Sequence, residues 1–135
     1  MTGTIQIIQN IKVENGSFKF PDSDIRRRSY TQTGQGGAVP GTLTVPTTAT
    51  GTLIDLTALT TPGWARFKNV DPTNFIKVGL QVGGTFYPFA RLLPGAGTGT
   101  DDDGQEIIVP MEPGISVYAV ADTAAAKLLV QAFEA

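Results

Sequence analysis

The acidic residues late in the chain are the first candidates for chemistry, because three aspartates stand together before a glycine. Asp101, Asp102 and Asp103 precede Gly104, a composition also found in calcium-binding loops. Calcium loops, however, alternate their carboxylates with other residues and close the cage with a later glutamate. Three consecutive side chains cannot all point at one ion. We therefore interpret the segment as a solvated loop tip and predict no metal site.

Two further patterns do not support a catalytic or ligand-binding site. Glu106 and Glu112 could be proposed as the carboxylate pair of a glycosidase, but nothing in the sequence fixes the distance between them. The glycine-rich segments Gly83-Gly84-Thr85 and Gly34-Gln35-Gly36-Gly37 do not lead into a helix and lack the lysine of a phosphate-binding loop. We predict no catalytic and no cofactor-binding residues.

The chain contains no histidine and no cysteine. Histidine is the commonest general base near neutral pH and the commonest metal ligand. Cysteine would supply thiol nucleophiles, thiolate metal sites and disulfides. Without either residue, no Ser-His or Cys-His pair can form. We therefore predict that the protein is not an enzyme and uses no cofactor.

Charge and hydropathy exclude two classes of partner. Charged residues make up 16% of the chain and the net charge is −2, so no overall field attracts it to nucleic acid or to an anionic membrane. Residues 1–9 lack the basic and apolar regions of a signal peptide, and no stretch approaches the roughly 18 apolar residues of a membrane helix. We expect a soluble protein that acts where it is made.

The run Arg26-Arg27-Arg28 is the only concentrated positive charge, and the surface-like Tyr30 follows it. On a strand, Arg26 and Arg28 share one face and Arg27 takes the other. One interpretation is a solvated edge that discourages unwanted strand pairing. The other is a contact with an acidic partner surface, and we retain these four residues as candidate partner contacts.

The aromatic residues allow a second kind of binding. Trp64 follows Pro62-Gly63 at a predicted strand entrance, where an aromatic ring could stack on a sugar, although core packing is the favoured interpretation. Phe86, Tyr87 and Phe89 lie within one predicted strand, and we expect them in the core or in an interface.

The elements that would position these residues are strands. The 16 glycines and 9 prolines separate short β-branched and aromatic runs, which are typical of strands. Residues 5–13 predict a first strand, and Asn15-Gly16 suits a two-residue type I′ turn before residues 17–20. Further strands are predicted over residues 25–33, 43–45 and 52–56.

The second half of the chain is more regular. Residues 64–70 alternate, residues 71–74 form a tight turn, and strands over 75–82 and 85–92 flank Gly83-Gly84, which predicts an antiparallel meander. Three more strands are predicted over residues 105–109, 115–121 and 127–133. Both faces of the last strand are partly apolar, which indicates a central strand or one buried in an interface. We interpret the alanine-rich stretch 119–126 as a turn rather than a helix.

About ten short strands with frequent turns predict an all-β fold, an antiparallel β-sandwich or jelly-roll. Residues 1–37 are expected to form an N-terminal hairpin or arm and a glycine-rich link, within the same domain as a β-sandwich body over residues 38–135.

The second half of the chain resembles small structural proteins of tailed-bacteriophage particles. The shared pattern covers about half the chain, and several tracts match in order. The residues that carry it are Thr61-Pro62-Gly63-Trp64-Ala65, Phe67-Lys68-Asn69, Asp71, Thr73-Asn74-Phe75, Val78-Gly79, Gly84-Thr85-Phe86-Tyr87-Pro88-Phe89, Leu92, Pro113-Gly114, Tyr118-Ala119, Ala121-Asp122-Thr123-Ala124-Ala125 and Lys127-Leu128. The chain departs from the pattern after Gly95, where a longer loop with the three aspartates precedes Glu106.

This resemblance implies a virion role. The leading expectation is a capsid decoration (cement) protein that binds the outside of a phage shell, after synthesis in the host cytoplasm. Its expected partners are the major capsid protein or other virion proteins, and a homotrimer is the first expectation for its assembly. Residues 1–11 and the glycine-rich link over residues 34–37 could serve as arms that add a strand to a neighbour. A tail, collar or head-fibre component and a carbohydrate- or receptor-binding module are the alternatives.

Overall fold

All the regular secondary structure in the described part of the chain is β-strand. The structure, a computed structural model, describes residues 3–10, 13–15, 18–20, 25–32, 37–95 and 104–134, with side chains at positions 4, 6–8, 40–95 and 104–134. Its strands are β1 (Gly3–Asn10), β2 (Val13–Asn15), β3 (Phe18–Phe20), β4 (Ile25–Gln32), β5 (Gly37–Val45), β6 (Thr52–Leu53), β7 (Pro62–Asn69), β8 (Ile76–Val82), β9 (Thr85–Leu92), β10 (Glu106–Pro110), β11 (Tyr118–Ala121) and β12 (Ala126–Glu134). The prediction of an all-β fold is confirmed.

Contacts within the chain divide it into two compact units, residues 1–35 and residues 36–135. In the first unit, β1 pairs antiparallel with β4 along eight residues, and β2 pairs with β3. The predicted first strand is therefore two strands, β1 and β2, with different partners. The predicted hairpin exists, but Asn15 ends β2 instead of starting the turn, and residues 16 and 17 lie outside the described residues.

The second unit contains two antiparallel sheets of four strands. Their orders are β10-β7-β12-β5 and β6-β11-β8-β9. The β12 strand is central, paired with β5 on one side and β7 on the other, as its two partly apolar faces predict. The Gly83-Gly84 turn is also confirmed: both residues have positive φ, 57° and 80°, as a type I′ turn requires.

The predicted meander of the second half is wrong at its first strand. The β8 and β9 strands do form a hairpin, but β7 belongs to the other sheet, between β10 and β12. The turn over residues 71–74 therefore carries the chain from one sheet to the other. Local alternation fixes which face of a strand is apolar, but it contains no information about which strand is the neighbour.

One hydrophobic cluster contains side chains from both sheets. Phe67, Leu128 and Val130 come from the first sheet, and Ile76 and Val78 from the second, all at 0% exposure. In β12, every second residue from Ala126 to Ala132 is buried, which is the alternation expected when one face of a strand packs on a core. The core therefore lies on one face of each sheet, called here its core-side face.

Candidate functional site: an uncovered apolar face

The core-side face of the β8–β9 hairpin continues past the core into solvent. In β8, Leu80 and Val82 follow Ile76 and Val78 at two-residue spacing, so all four side chains share one face. Tyr87 of β9 is directly opposite Leu80 and thus lies on the same face. Together with Phe89 these residues form what we call the apolar face, with exposed fractions of 37% for Leu80, 66% for Val82, 56% for Tyr87 and 51% for Phe89.

A hollow of about 170 Å³ lies beside this face. Its lining includes Leu80 and Phe89 of the hairpin, Val109 and Met111 from β10 and the residue that follows it, and the buried ring of Phe67. Small-molecule pockets typically measure roughly 300–1,000 Å³, so this hollow is too small for most such ligands. It is large enough for a side chain or two from a partner.

The hollow offers little for catalysis. Of the described residues that line it, Glu112 is the single ionisable one, and it is exposed. An apolar hollow with one solvated carboxylate can accept apolar side chains but provides no general acid–base pair.

A β-bulge shapes the rim of the hollow. The pairing register shifts between Val78 and Gly79, so that Phe89 is the extra residue between Pro88 and Ala90. A Cβ atom on Gly79 would lie 2.2 Å from the carbonyl oxygen of Tyr87 and 2.6 Å from Cα of Pro88. Only glycine permits this close approach of the two backbones, and bulges of this kind re-aim side chains. Gly79 thereby positions Phe89 on the rim.

The far end of the hairpin is tied to the first sheet by Asn69, which is fully buried at the end of β7. Its Nδ2 donates to the carbonyl oxygen of Asn74 at 2.8 Å and to that of Leu92 at 2.9 Å. Its Oδ1 accepts from the amide of Asp71 at 2.8 Å. All the polar atoms of this side chain are therefore satisfied in the core, where an unpaired one would be costly.

The predicted turn over residues 71–74 is confirmed, and Asp71 organises it. Its Oδ2 accepts from the amides of Thr73 at 3.0 Å and Asn74 at 2.7 Å, which is the local bonding typical of aspartate in turns. Burial of the carboxyl group would raise the pKa of Asp71, but these hydrogen bonds outweigh it and hold the pKa below its usual value.

The other face of the first sheet carries a polar cluster. Arg66 donates from Nε to Glu106 Oε2, and its second nitrogen, Nη1, donates to Gln131 Oε1 at 3.0 Å. Glu106, one half of the carboxylate pair considered from sequence, is thus engaged in an ion pair, while Glu112 lines the hollow. Glu106 is not among the residues that line this hollow.

The candidate contacts Arg26, Arg27, Arg28 and Tyr30 lie on β4, in the first unit. Their backbones pair with Gln9, Ile8, Ile7 and Ile5 of β1, respectively. Their side chains lie outside the described part of the chain, so their partner role stays a prediction. Residues 3–10, considered as part of an arm, are a strand paired along its length with β4.

Among the other predicted sites, Asp101–Asp103 and Gly34–Gly36 also lie outside the described residues. Within the described ranges, no group of three His, Cys, Asp or Glu residues could hold a metal ion. Over the same ranges there is no helix long and apolar enough to cross a membrane.

The aromatic residues of β9 were expected in the core or in an interface. Tyr87 and Phe89 are about half exposed, so they are not core residues, and their place in an interface stays a prediction. Trp64 and Phe86 are intermediate in burial. The apolar face could have been suspected from sequence, because apolar residues occupy both faces of residues 85–92 whereas a two-layer core needs only one.

Comparisons of the chain with family models, with curated proteins and with solved structures gave no match.

Proposed function

We propose that the protein is a non-enzymatic structural component of a tailed-phage particle, and that it binds the outside of the capsid shell as a decoration (cement) protein. The sequence resemblance is the reason for proposing a role in a phage particle, and the major capsid protein is the proposed partner. We also propose that the two four-stranded sheets pack face to face as a β-sandwich, since one hydrophobic cluster draws side chains from both.

The observation that carries the proposal is the apolar face. Leu80, Val82, Tyr87 and Phe89 are exposed on the same side of one hairpin, next to a hollow of about 170 Å³. Contiguous exposed apolar surface of this kind marks protein interaction sites, and rigid aromatic residues are enriched in their centres. A shell-binding protein requires such a surface and requires no catalytic groups.

The sheet edges favour contact through side chains over the addition of a strand. The edge strands β5 and β9 contain Pro40 and Pro88, β10 ends at Pro110, and the fourth edge, β6, has two residues. Proline lacks an N–H, and short or proline-containing edges resist pairing with another chain. In the second unit we therefore assign partner binding to the apolar face and not to an edge.

The direct experiment is co-sedimentation of the purified protein with shells that lack it, at moderate salt. The double variant Val82→Ser/Tyr87→Ser should lose at least about tenfold in affinity, since buried aromatic anchors often contribute 2 kcal/mol or more to an interface. Leu53→Ser is the matched control, because Leu53 is 48% exposed but lies on β6, at the opposite edge of the sheet from β9. Failure of the wild-type protein to sediment with shells would end the proposal.

A homotrimer is proposed for the assembled form, because closed cyclic oligomers match the symmetry axes of a shell. Sedimentation equilibrium of the full chain between micromolar and millimolar concentration tests it. A mass that stays at 14.2 kDa throughout would contradict the trimer without affecting shell binding by a monomer.

Two alternatives use the same surface. A tail, collar or head-fibre component would differ only in its location in the particle, which imaging of labelled particles would determine. A carbohydrate-binding module would use the exposed ring of Tyr87 as a stacking platform. Glycan binding that is lost in Trp64→Ala and Tyr87→Ala would favour this module over the shell protein.

A further inference from the structure

Two cations lie over one aromatic ring on the opposite side of the β8–β9 hairpin. Lys77 and Arg91 are directly opposite each other in the β8–β9 pairing. The Lys77 Nζ is 5.8 Å, and the Arg91 Cζ 4.5 Å, from the centroid of the Phe75 ring. Because the face of the ring attracts cations, Phe75 holds both charges at one place on the sheet.

The two positive charges repel each other, and no carboxylate in the described part of the structure offsets this repulsion. Like charges directly opposite each other on neighbouring strands are destabilising. Among the described residues, no carboxylate lies within 4.0 Å of either cation, whereas Arg66 on the other sheet is paired with Glu106. Asp122 is close in the fold, since its amide donates to the Phe75 carbonyl oxygen at 3.1 Å, yet it forms no ion pair with Lys77 or Arg91.

The cations are accessible from solvent. Arg91 is exposed, Lys77 is half-buried, and both line a hollow of about 260 Å³ together with Pro88, Phe89 and Ala90. A guanidinium beside an ammonium presents donors that match carboxylate oxygens, with the guanidinium able to bind in a bidentate manner.

We propose that Lys77, Arg91 and the ring of Phe75 form a binding site for the carboxylates of an acidic protein segment. The positive charge here is local, because the whole chain has a net charge of −2, and two cations can pair with only a few carboxylates. Nucleic acid binding instead depends on many phosphate contacts and on a basic surface. Lys77 and Arg91 lie on the opposite face of the hairpin from Leu80 and Tyr87, and Phe89 of the apolar face also lines their hollow. The site does not depend on the phage assignment.

The test is an NMR titration of the full, ¹⁵N-labelled chain with a hexaglutamate peptide at low salt. Saturable shifts are expected at the amides of Lys77 and Arg91, and the affinity should weaken as salt is added. The variant Lys77→Gln/Arg91→Gln should weaken binding by about threefold or more, as expected for the loss of two exposed ion pairs. Lys127→Gln, which removes an exposed lysine of β12, should bind like the wild type.

Because shifts are read residue by residue, peptide bound at Arg26–Arg28 is distinguished from peptide bound at this site. The proposal is overturned if the amides of Lys77 and Arg91 do not respond to the peptide, or if Lys127→Gln weakens binding equally. It is also overturned if a thymidine oligonucleotide or free sulfate saturates the same amides at lower concentration. Circular dichroism of each variant confirms that the sheets are intact.

Discussion

Asn69 Nδ2 donates a hydrogen bond of 2.9 Å to the carbonyl oxygen of Leu92, and this bond joins the last residue of β7 in one sheet to the last residue of β9 in the other. The same nitrogen holds the Asn74 carbonyl at 2.8 Å in the connection between the sheets. Since Asn69 is fully buried, these bonds form without competition from water. The arrangement connects the β8–β9 hairpin, which carries the apolar face, to the rest of the second unit.

Asn69→Ala should lower the free energy of unfolding by about 2–4 kcal/mol. The substitution leaves two carbonyl groups and the Asp71 amide without their partner, and a buried unsatisfied polar group typically costs about 1–3 kcal/mol. Urea unfolding followed by circular dichroism measures the effect. Gln105→Ala is the control, because Gln105 is exposed and its side-chain Oε1 accepts one hydrogen bond, from the Leu93 amide, while its backbone bond to the Asn69 amide is kept in the variant. Equal losses in the two variants would contradict the role of Asn69.

Gly79→Ala should destabilise the protein by roughly 1–3 kcal/mol or more, since a Cβ atom 2.2 Å from the Tyr87 carbonyl oxygen forces the β8 and β9 backbones apart. Gly83→Ala, in the turn of the same hairpin, should cost only about 1–2 kcal/mol from its positive φ, because no atom lies within 4 Å of the added carbon. Thermal unfolding of both variants tests the difference. A Gly79→Ala variant as stable as the wild type would show that the bulge does not need glycine.

Asp71 should contribute to the acid sensitivity of the protein. Burial of the carboxyl group would raise its folded-state pKa, but the hydrogen bonds outweigh burial and hold that pKa below the usual value of an aspartate. Its contribution to stability is therefore present above the usual value and is lost as the pH falls through the folded pKa. Asp71→Asn should therefore lower the unfolding free energy by roughly 1 kcal/mol at pH 7, where a charged acceptor is replaced by a neutral one. At pH 2 the variant and the wild type should differ much less. A difference of the same size at both pH values would contradict this account.

Substitutions on the apolar face should separate binding from stability. Val82→Ser/Tyr87→Ser removes apolar side chains that are more than half exposed. The free energy of unfolding, measured in urea, should therefore change by no more than about 0.5 kcal/mol per site. Phe67→Ala, at 0% exposure, should cost about 3–5 kcal/mol by the same measurement. A large loss of stability in the double variant would mean that the apolar face is part of the core.

Much of the strand pattern could be predicted because it depends on local chemistry. The alternation of Ala65 and Phe67 indicates the buried face of β7, and two consecutive glycines indicate the turn after Val82. The partly apolar faces of residues 127–133 correctly predicted a central strand. These features follow from side-chain periodicity and from backbone preferences, which a single sequence displays.

Strand pairing and exposure could not be predicted in the same way. The turn organised by Asp71 looks like a hairpin turn in sequence, yet it connects two sheets, because Asn69 bonds across them and β7 pairs with β10 and β12. Tyr87 and Phe89 are as apolar as core residues, and only the tertiary structure shows that the core ends before it reaches them. One signal was available: Asn69 continues the buried alternation of Ala65 and Phe67, and a polar residue in that position requires buried partners.

We propose that the apolar face of the β8–β9 hairpin binds a protein surface of a phage shell. Co-sedimentation with shells that lack the protein, at moderate salt, tests it most directly, with the wild type, Val82→Ser/Tyr87→Ser and Leu53→Ser measured side by side. We predict that the wild type and Leu53→Ser sediment with the shells and that the double variant stays in the supernatant. Three proteins that all sediment equally, or a wild type that stays in the supernatant, would contradict the claim.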